Sequence, residues 1–172
     1  MAEMQIGGNP GQVYTETEQL QGKAPRLGSL YTESHNTEGE KKYVAVKVTT
    51  GNLVNGTLVT IAADFAATAA AVAGNPPLVA DMLGVLVVST TASTSSIAWA
   101  QIYGHGRILA SATASAQAIL NMGDAAGVVD SGVVSASSAV IGIVLVSHAG
   151  TSATNLTRCF LSFPHFGDAE SG

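Results

Sequence analysis

Between Val48 and Thr157 the chain carries only five formally charged side chains: Asp64, Asp81, Arg107, Asp124 and Asp130. A soluble domain keeps about a quarter of its residues charged, whereas this whole chain reaches 11%. Something other than charge must therefore satisfy most of its surface, and contact with other subunits does so most simply. Ala, Ser, Thr, Val and Gly dominate the stretch. Such residues pack flat β-surfaces together at little side-chain entropy cost. The chain is expected to be a subunit of an assembly.

At 172 residues the chain is the size of one domain with an arm, long enough to bury a substantial core. A net charge of −5 disfavours nucleic-acid binding, which requires clustered Lys and Arg. Lys23, Arg26, Lys41, Lys42 and Lys47 lie early and are interspersed with Glu16, Glu18, Glu33, Glu38 and Glu40, giving a mixed-charge first quarter. No apolar run approaches the ~20 residues of a membrane-spanning helix, and the N-terminus lacks a cationic start followed by an apolar stretch. A protein that is neither secreted nor membrane-bound is expected. The single cysteine, Cys159, excludes an intrachain disulfide.

The alternation of Val44, Val46 and Val48 with Tyr43, Ala45 and Lys47 predicts a half-buried strand. Asn55-Gly56, between Leu53-Val54 and Thr57-Leu58-Val59-Thr60-Ile61, predicts a two-residue hairpin, because both turn residues tolerate positive φ. The Ala-rich segment from Ala62 to Ala73 reads as a short helix. Met82 to Val88 is a continuous apolar run suited to a strand buried on both faces. Ile97, Trp99, Gln101 and Tyr103 alternate with Ala98, Ala100 and Ile102, and Gly104-His105-Gly106 then marks a turn or bulge. Further short strands are expected at Ala118 to Met122, Gly127 to Val129, Val140 to Val146 and Leu156 to Phe163. Many short strands at close spacing predict a mainly β fold, a compact sandwich or barrel of short antiparallel strands. The expected divisions are an extended arm over residues 1–36, a β-rich core over 37–166 and a tail over 167–172.

The residue patterns of catalysis are missing from the sequence. His35, His105, His148 and His165 lie in separate segments without metal-ligand spacing. Cys159 falls inside a strand pattern, where a small buried thiol is the usual role. Asp124 and Asp130 flank a turn and could approach a cation, although Asp in turns ordinarily accepts hydrogen bonds from the local backbone. Neither a nucleophile elbow nor a phosphate-binding glycine loop occurs. No catalytic, cofactor-binding or metal residue is therefore expected, nor a cofactor, and the expectation is a protein that is not an enzyme.

The segment Ala98-Trp99-Ala100-Gln101-Ile102-Tyr103-Gly104-His105-Gly106-Arg107, followed by Ala/Ser-rich strands, resembles the head decoration, or capsid cement, proteins of tailed bacteriophages. The likeness spans roughly Leu27 to Phe163 and includes Leu27-Gly28-Ser29-Leu30 and the strand Tyr43-Val44-Ala45-Val46-Lys47. It implies a small β-domain, often a homotrimer, on the outer surface of an icosahedral capsid, bridging subunits of the major capsid protein. It implies no catalytic or ligand-binding residues; the net charge and the short apolar runs already make neither nucleic acid nor membrane an expected partner. A competing expectation is a carbohydrate-binding or adhesin-like β-sandwich, in which Trp99 and Tyr103, on one face of a strand, stack on sugars.

Overall fold

The computed structural model of the protein describes residues 9–49, 52–71, 82–91, 95–118, 120–123, 125–131, 139–147 and 154–166. Among them are eleven strands and one short helix: β1 (Tyr14–Thr15), α1 (Glu16–Leu20), β2 (Leu30–His35), β3 (Gly39–Val48), β4 (Leu58–Ile61), β5 (Ala66–Ala69), β6 (Met82–Leu86), β7 (Ser96–Ser111), β8 (Leu120–Met122), β9 (Val129–Asp130), β10 (Ala139–Leu145) and β11 (Thr154–Phe166). The fold is mainly β, as the strand patterns predict. Two parallel pairings, β3 with β5 and β7 with β9, make the sheet mixed. The Asp124 and His148 positions, the helix expectation beyond residue 71 and the tail over 167–172 lie outside the described residues.

Strand β7 organises the sheet because its two halves serve two circuits of pairing. Residues 96–103 pair with β3, and Gln101 and Ala100 also pair with β6 on the opposite edge. From β6 the pairings run through β4 and β5 back to β3, closing a small barrel. Its interior holds Val44, Val46, Val48, Val59, Ile61, Ala67, Leu86, Ala98, Ala100 and Ile102. So few strands enclose a narrow lumen, and this is where the alanines go. A Cβ on Gly84 would lie only 3.0 Å from both the Ala100 Cβ and the Ile61 Cδ1. The second half of β7 pairs with β11 from Ser111 to Tyr103, and the circuit continues through β10, β8 and β9 back to Ala110 of β7. Ile108, Leu120, Met122, Val129, Ile143, Leu145, Cys159 and Leu161 fill this second core, together with Leu58, Leu83 and Val85 from the outer wall of the barrel.

β3 is buried on both sides over residues 43–46 and not on one, as its alternation suggested. Its valines face the barrel, while Tyr43 and Ala45 pack with Trp99 beneath Tyr31. The Ala-rich segment is not helical in its described part. Residues 62–65 form a tight turn, with Phe65 N–H donating to the Ala62 carbonyl at 2.9 Å, and Ala66–Ala69 is strand β5. Intrinsic helix propensity loses here because alanine is what fits a crowded barrel wall. The expected hairpin moves with it, to β4 and β5. Asn55-Gly56 does form a turn, Thr57 N–H donating to the Val54 carbonyl at 3.1 Å, with positive φ at Gly56 and not at Asn55. That pattern matches a type II turn, whose twist does not suit a two-residue hairpin.

Residue 36, where the arm was expected to end, sits in the turn joining β2 to β3. Before it, β1 pairs with β7, and Tyr14, Ala24, Ile97 and Leu27 form a small apolar cluster. Helix α1 begins with a capping box: Glu18 N–H donates to Thr15 Oγ1 at 3.2 Å and Thr15 N–H donates to Glu18 Oε2 at 2.7 Å. The Thr-x-x-Glu spacing was a readable signal for it.

The two halves of β7 meet at a bend. Gly104 has φ +92, and a Cβ there would lie 2.2 Å from the Glu40 carbonyl oxygen, so β3 crosses at closest backbone approach. The Gln101 side chain, 4% exposed, fills the inside of the bend, its amide donating to the Tyr103 and His105 carbonyls at 3.0 and 2.9 Å. Gln101→Glu keeps the shape but replaces both donors with a carboxylate facing carbonyls. We expect a loss of roughly 2–4 kcal/mol in urea unfolding at neutral pH. The deficit should shrink at acid pH as the buried carboxyl takes up a proton, because burial favours its neutral form.

Candidate interaction surface

Beyond the bend, β7, β11 and β10 present one face to the second core and the other outward. Cross-strand partners share a face, and the register sets His105 opposite Phe160, Arg107 opposite Arg158 and Leu109 opposite Leu156. On the other edge of β11, Val144 opposes Phe160, and Val146 N–H donates to the Arg158 carbonyl at 2.9 Å. A bulge between Ile141 and Ile143 keeps Val140 and Ile143 buried and turns Ile141 and Val144 out. Val144 is 47% exposed, Val146 54% and Leu156 40%. Large aliphatic side chains thus stand outward on adjacent strands, the pattern of a surface made to be covered.

Aromatic side chains border this face. Tyr103 packs edge-on against Phe160 with ring centres 5.7 Å apart, and Phe163 lies 5.4 Å away on its other side. The Lys42 ammonium stands 5.5 Å from the Tyr103 ring centre, a cation–π arrangement. Phe163 is 50% exposed and has φ +50 immediately before Pro164. That backbone region is unfavourable for a bulky residue, and more so before proline. Strain of this kind persists only where surrounding structure enforces it, here the irregular pairing of β10 with β11.

A cavity of about 310 Å³ opens on the same face, between the β2–β3 turn and β7–β11. It is lined by Thr37, Glu38, Lys41, His105, Gly106, Arg107, Val146, Arg158 and Cys159. Lys41 is ion-paired to Glu38. Among the described residues neither Arg107 nor Arg158 has an ion-pair partner. Cys159 also borders the cavity, but its side chain is fully buried in the second core, and burial pushes the thiol pKa up to about 12 despite a bond to the Gly106 backbone. It is protonated at neutral pH, the opposite of an activated thiolate.

The other residues weighed from the sequence fall apart in space. His35, His105 and His165 are exposed, and among the described residues no three His, Cys, Asp or Glu side chains converge. Asp130 accepts hydrogen bonds from Thr113 Oγ1 and the Ser131 N–H, both at 2.6 Å, the local role usual for a turn aspartate. Trp99 and Tyr103 do not share an open face. The register shifts at Lys42/Tyr43, and Trp99 is 2% exposed beneath Tyr31, with ring centres 5.9 Å apart. Trp99 therefore presents no open ring face for a sugar in this structure. Among the described residues no helix is long and apolar enough to cross a membrane. No protein-family model matches the chain, and no curated protein matches it significantly.

Two expectations test this geometry. Like charges directly opposite on paired strands are destabilising, so Arg158→Glu, facing Arg107, should raise the urea midpoint by the equivalent of about 0.2–1 kcal/mol. Burial alone would raise the Asp130 pKa, but the hydrogen bonds from Ser111, Thr113 and the Ser131 N–H lower it on balance. A lowered native pKa gives stability that is present above the ordinary aspartate value near pH ~4 and lost as the pH falls through the native one. Asp130→Asn should therefore flatten the acid limb of a stability–pH curve below about pH 4.

Proposed function

We propose that the protein is a structural subunit of a phage head, binding the outer surface of an icosahedral capsid and bridging neighbouring major capsid protein subunits. The observation that carries this reading is the outward face of β7, β10 and β11, where Val144, Val146, Leu156 and Phe163 stand exposed beside two arginines that have no ion-pair partner among the described residues. Aromatic and arginine side chains set in an apolar field are the composition of interface centres. The charge-poor sequence agrees, although part of that depletion now has an internal cause, since alanines 67, 98, 100 and 110 are wholly buried in the two cores.

The mechanism is non-covalent cross-linking. A homotrimer holds the shell through three copies of each weak contact, so that attachment is far stronger than any single contact. Residues ahead of Tyr14 serve as the gripping arm in this reading, because from Tyr14 onward the chain is tied to β7. Trp99 is inaccessible, which removes the main support for the carbohydrate-binding alternative.

Native mass spectrometry of the purified chain should give a trimer. Shells assembled from the major capsid protein encoded alongside it should bind the chain saturably and withstand higher temperature once decorated. Deletion of residues 1–12 should leave a folded trimer with weakened attachment. A monodisperse monomer that ignores such shells would overturn the reading.

A further inference from the structure

Arg107 and Arg158 are directly opposed on β7 and β11, both exposed and both in the wall of the 310 Å³ cavity. Glu38 is the carboxylate of that wall, and it is paired with Lys41. The positive charge of the groove therefore rests on the two guanidinium groups. Each is a planar fork of donors with no acceptor of its own and is matched best by a carboxylate, bound through two parallel hydrogen bonds. The pair costs the isolated fold stability, so its chemistry points outward.

We infer that this groove receives an acidic, otherwise apolar extended segment of the partner protein, with two carboxylates that pair with Arg107 and Arg158. The inference rests on the reading of this face as an interface and supplies the chemistry of its partner. Directly opposed residues on antiparallel strands lie about 5 Å apart at Cα. Same-face residues i and i+2 of an extended strand are about 7 Å apart. Long arginine side chains span that difference, so carboxylates at i and i+2 each meet one fork. Val146 lines the groove and Val144 and Leu156 lie beside it, which suits apolar side chains flanking the acids. A polynucleotide fits poorly: the chain carries a net charge of −5, Glu38 stands in the wall, and phosphate backbones are held by rows of cations.

The test uses the full chain and the blocked peptide Val-Thr-Glu-Thr-Glu-Thr-Val, with its Gln-for-Glu counterpart as control. The Arg107 and Arg158 Nε–H signals are followed by NMR. Saturable shifts at both arginines are expected with the Glu peptide. Affinity should fall roughly tenfold or more for the Gln peptide and for the folded Arg158→Glu variant, the scale of a lost charge-assisted hydrogen bond. Equal affinity for the two peptides, equally effective occupation by inorganic sulfate alone, or tighter binding of a single-stranded oligonucleotide would overturn the inference. So would undiminished attachment of Arg107→Glu/Arg158→Glu to capsid shells, an outcome that leaves the decoration reading intact. Binding of the Glu peptide by a chain that ignores such shells would do the reverse, removing the capsid and keeping the acidic partner.

Discussion

The buried Gln101 amide is the contact on which both cores depend. A strand as long as β7 can serve two circuits of pairing only if it changes direction between them, and a change of direction withdraws backbone carbonyls from the ladder. Gln101 meets two of them, at Tyr103 and His105, with the two hydrogens of one side-chain nitrogen. In an interior where an unmet carbonyl costs as much as a hydrogen bond is worth, this lets the bend exist. Gly104 supplies the backbone angle and the space for β3 to cross. Everything beyond the bend, including the face with the opposed arginines, is aimed by it.

The two sides of β7–β11 follow from that aim. Inward, Ile108, Ala110, Cys159 and Leu161 complete a core. Outward, the same strands carry His105, Arg107, Arg158 and Phe160. Alternation along a strand thus divides one ribbon between stability and recognition. The division is sharpest at Cys159, whose fully buried thiol lies between the exposed Arg158 and the half-buried Phe160.

Much of the architecture was legible because strand periodicity is a local signal. The patterns at Tyr43 to Val48, Met82 to Val88 and Leu156 to Phe163 correspond to β3, β6 and β11, and Gly104-His105-Gly106 does mark an irregularity. Failures arose where tertiary packing chose among local options. Ala66, Ala67 and Ala69, with Thr68, form a barrel strand because little room is left beside Ile61, Leu86 and Ile102 in the narrow lumen, a fact no window of sequence contains. Asn55-Gly56 turns the chain, yet with a geometry that selects different strand partners. The surface was the least legible part. Arg107 and Arg158 are remote in sequence and meet only through the register of β7 with β11. Trp99 and Tyr103 were assigned one face, which the register shift opposite Lys42/Tyr43 separates.

The dependence on β7 also orders events in time. Residues 103–111 are made early relative to their partner, since β11 lies at residues 154–166. At ribosomal rates of roughly 5–20 residues per second, that edge waits several seconds before its partner emerges. Contacts this distant in sequence also close slowly once available, because loop entropy must be spent before pairing repays it. The growing chain therefore exposes an unpaired edge rich in apolar side chains, a template for association with its own kind. Arg107 lies within that edge, and its charge repels identical neighbours aligned in register until Arg158 and the rest of β11 arrive.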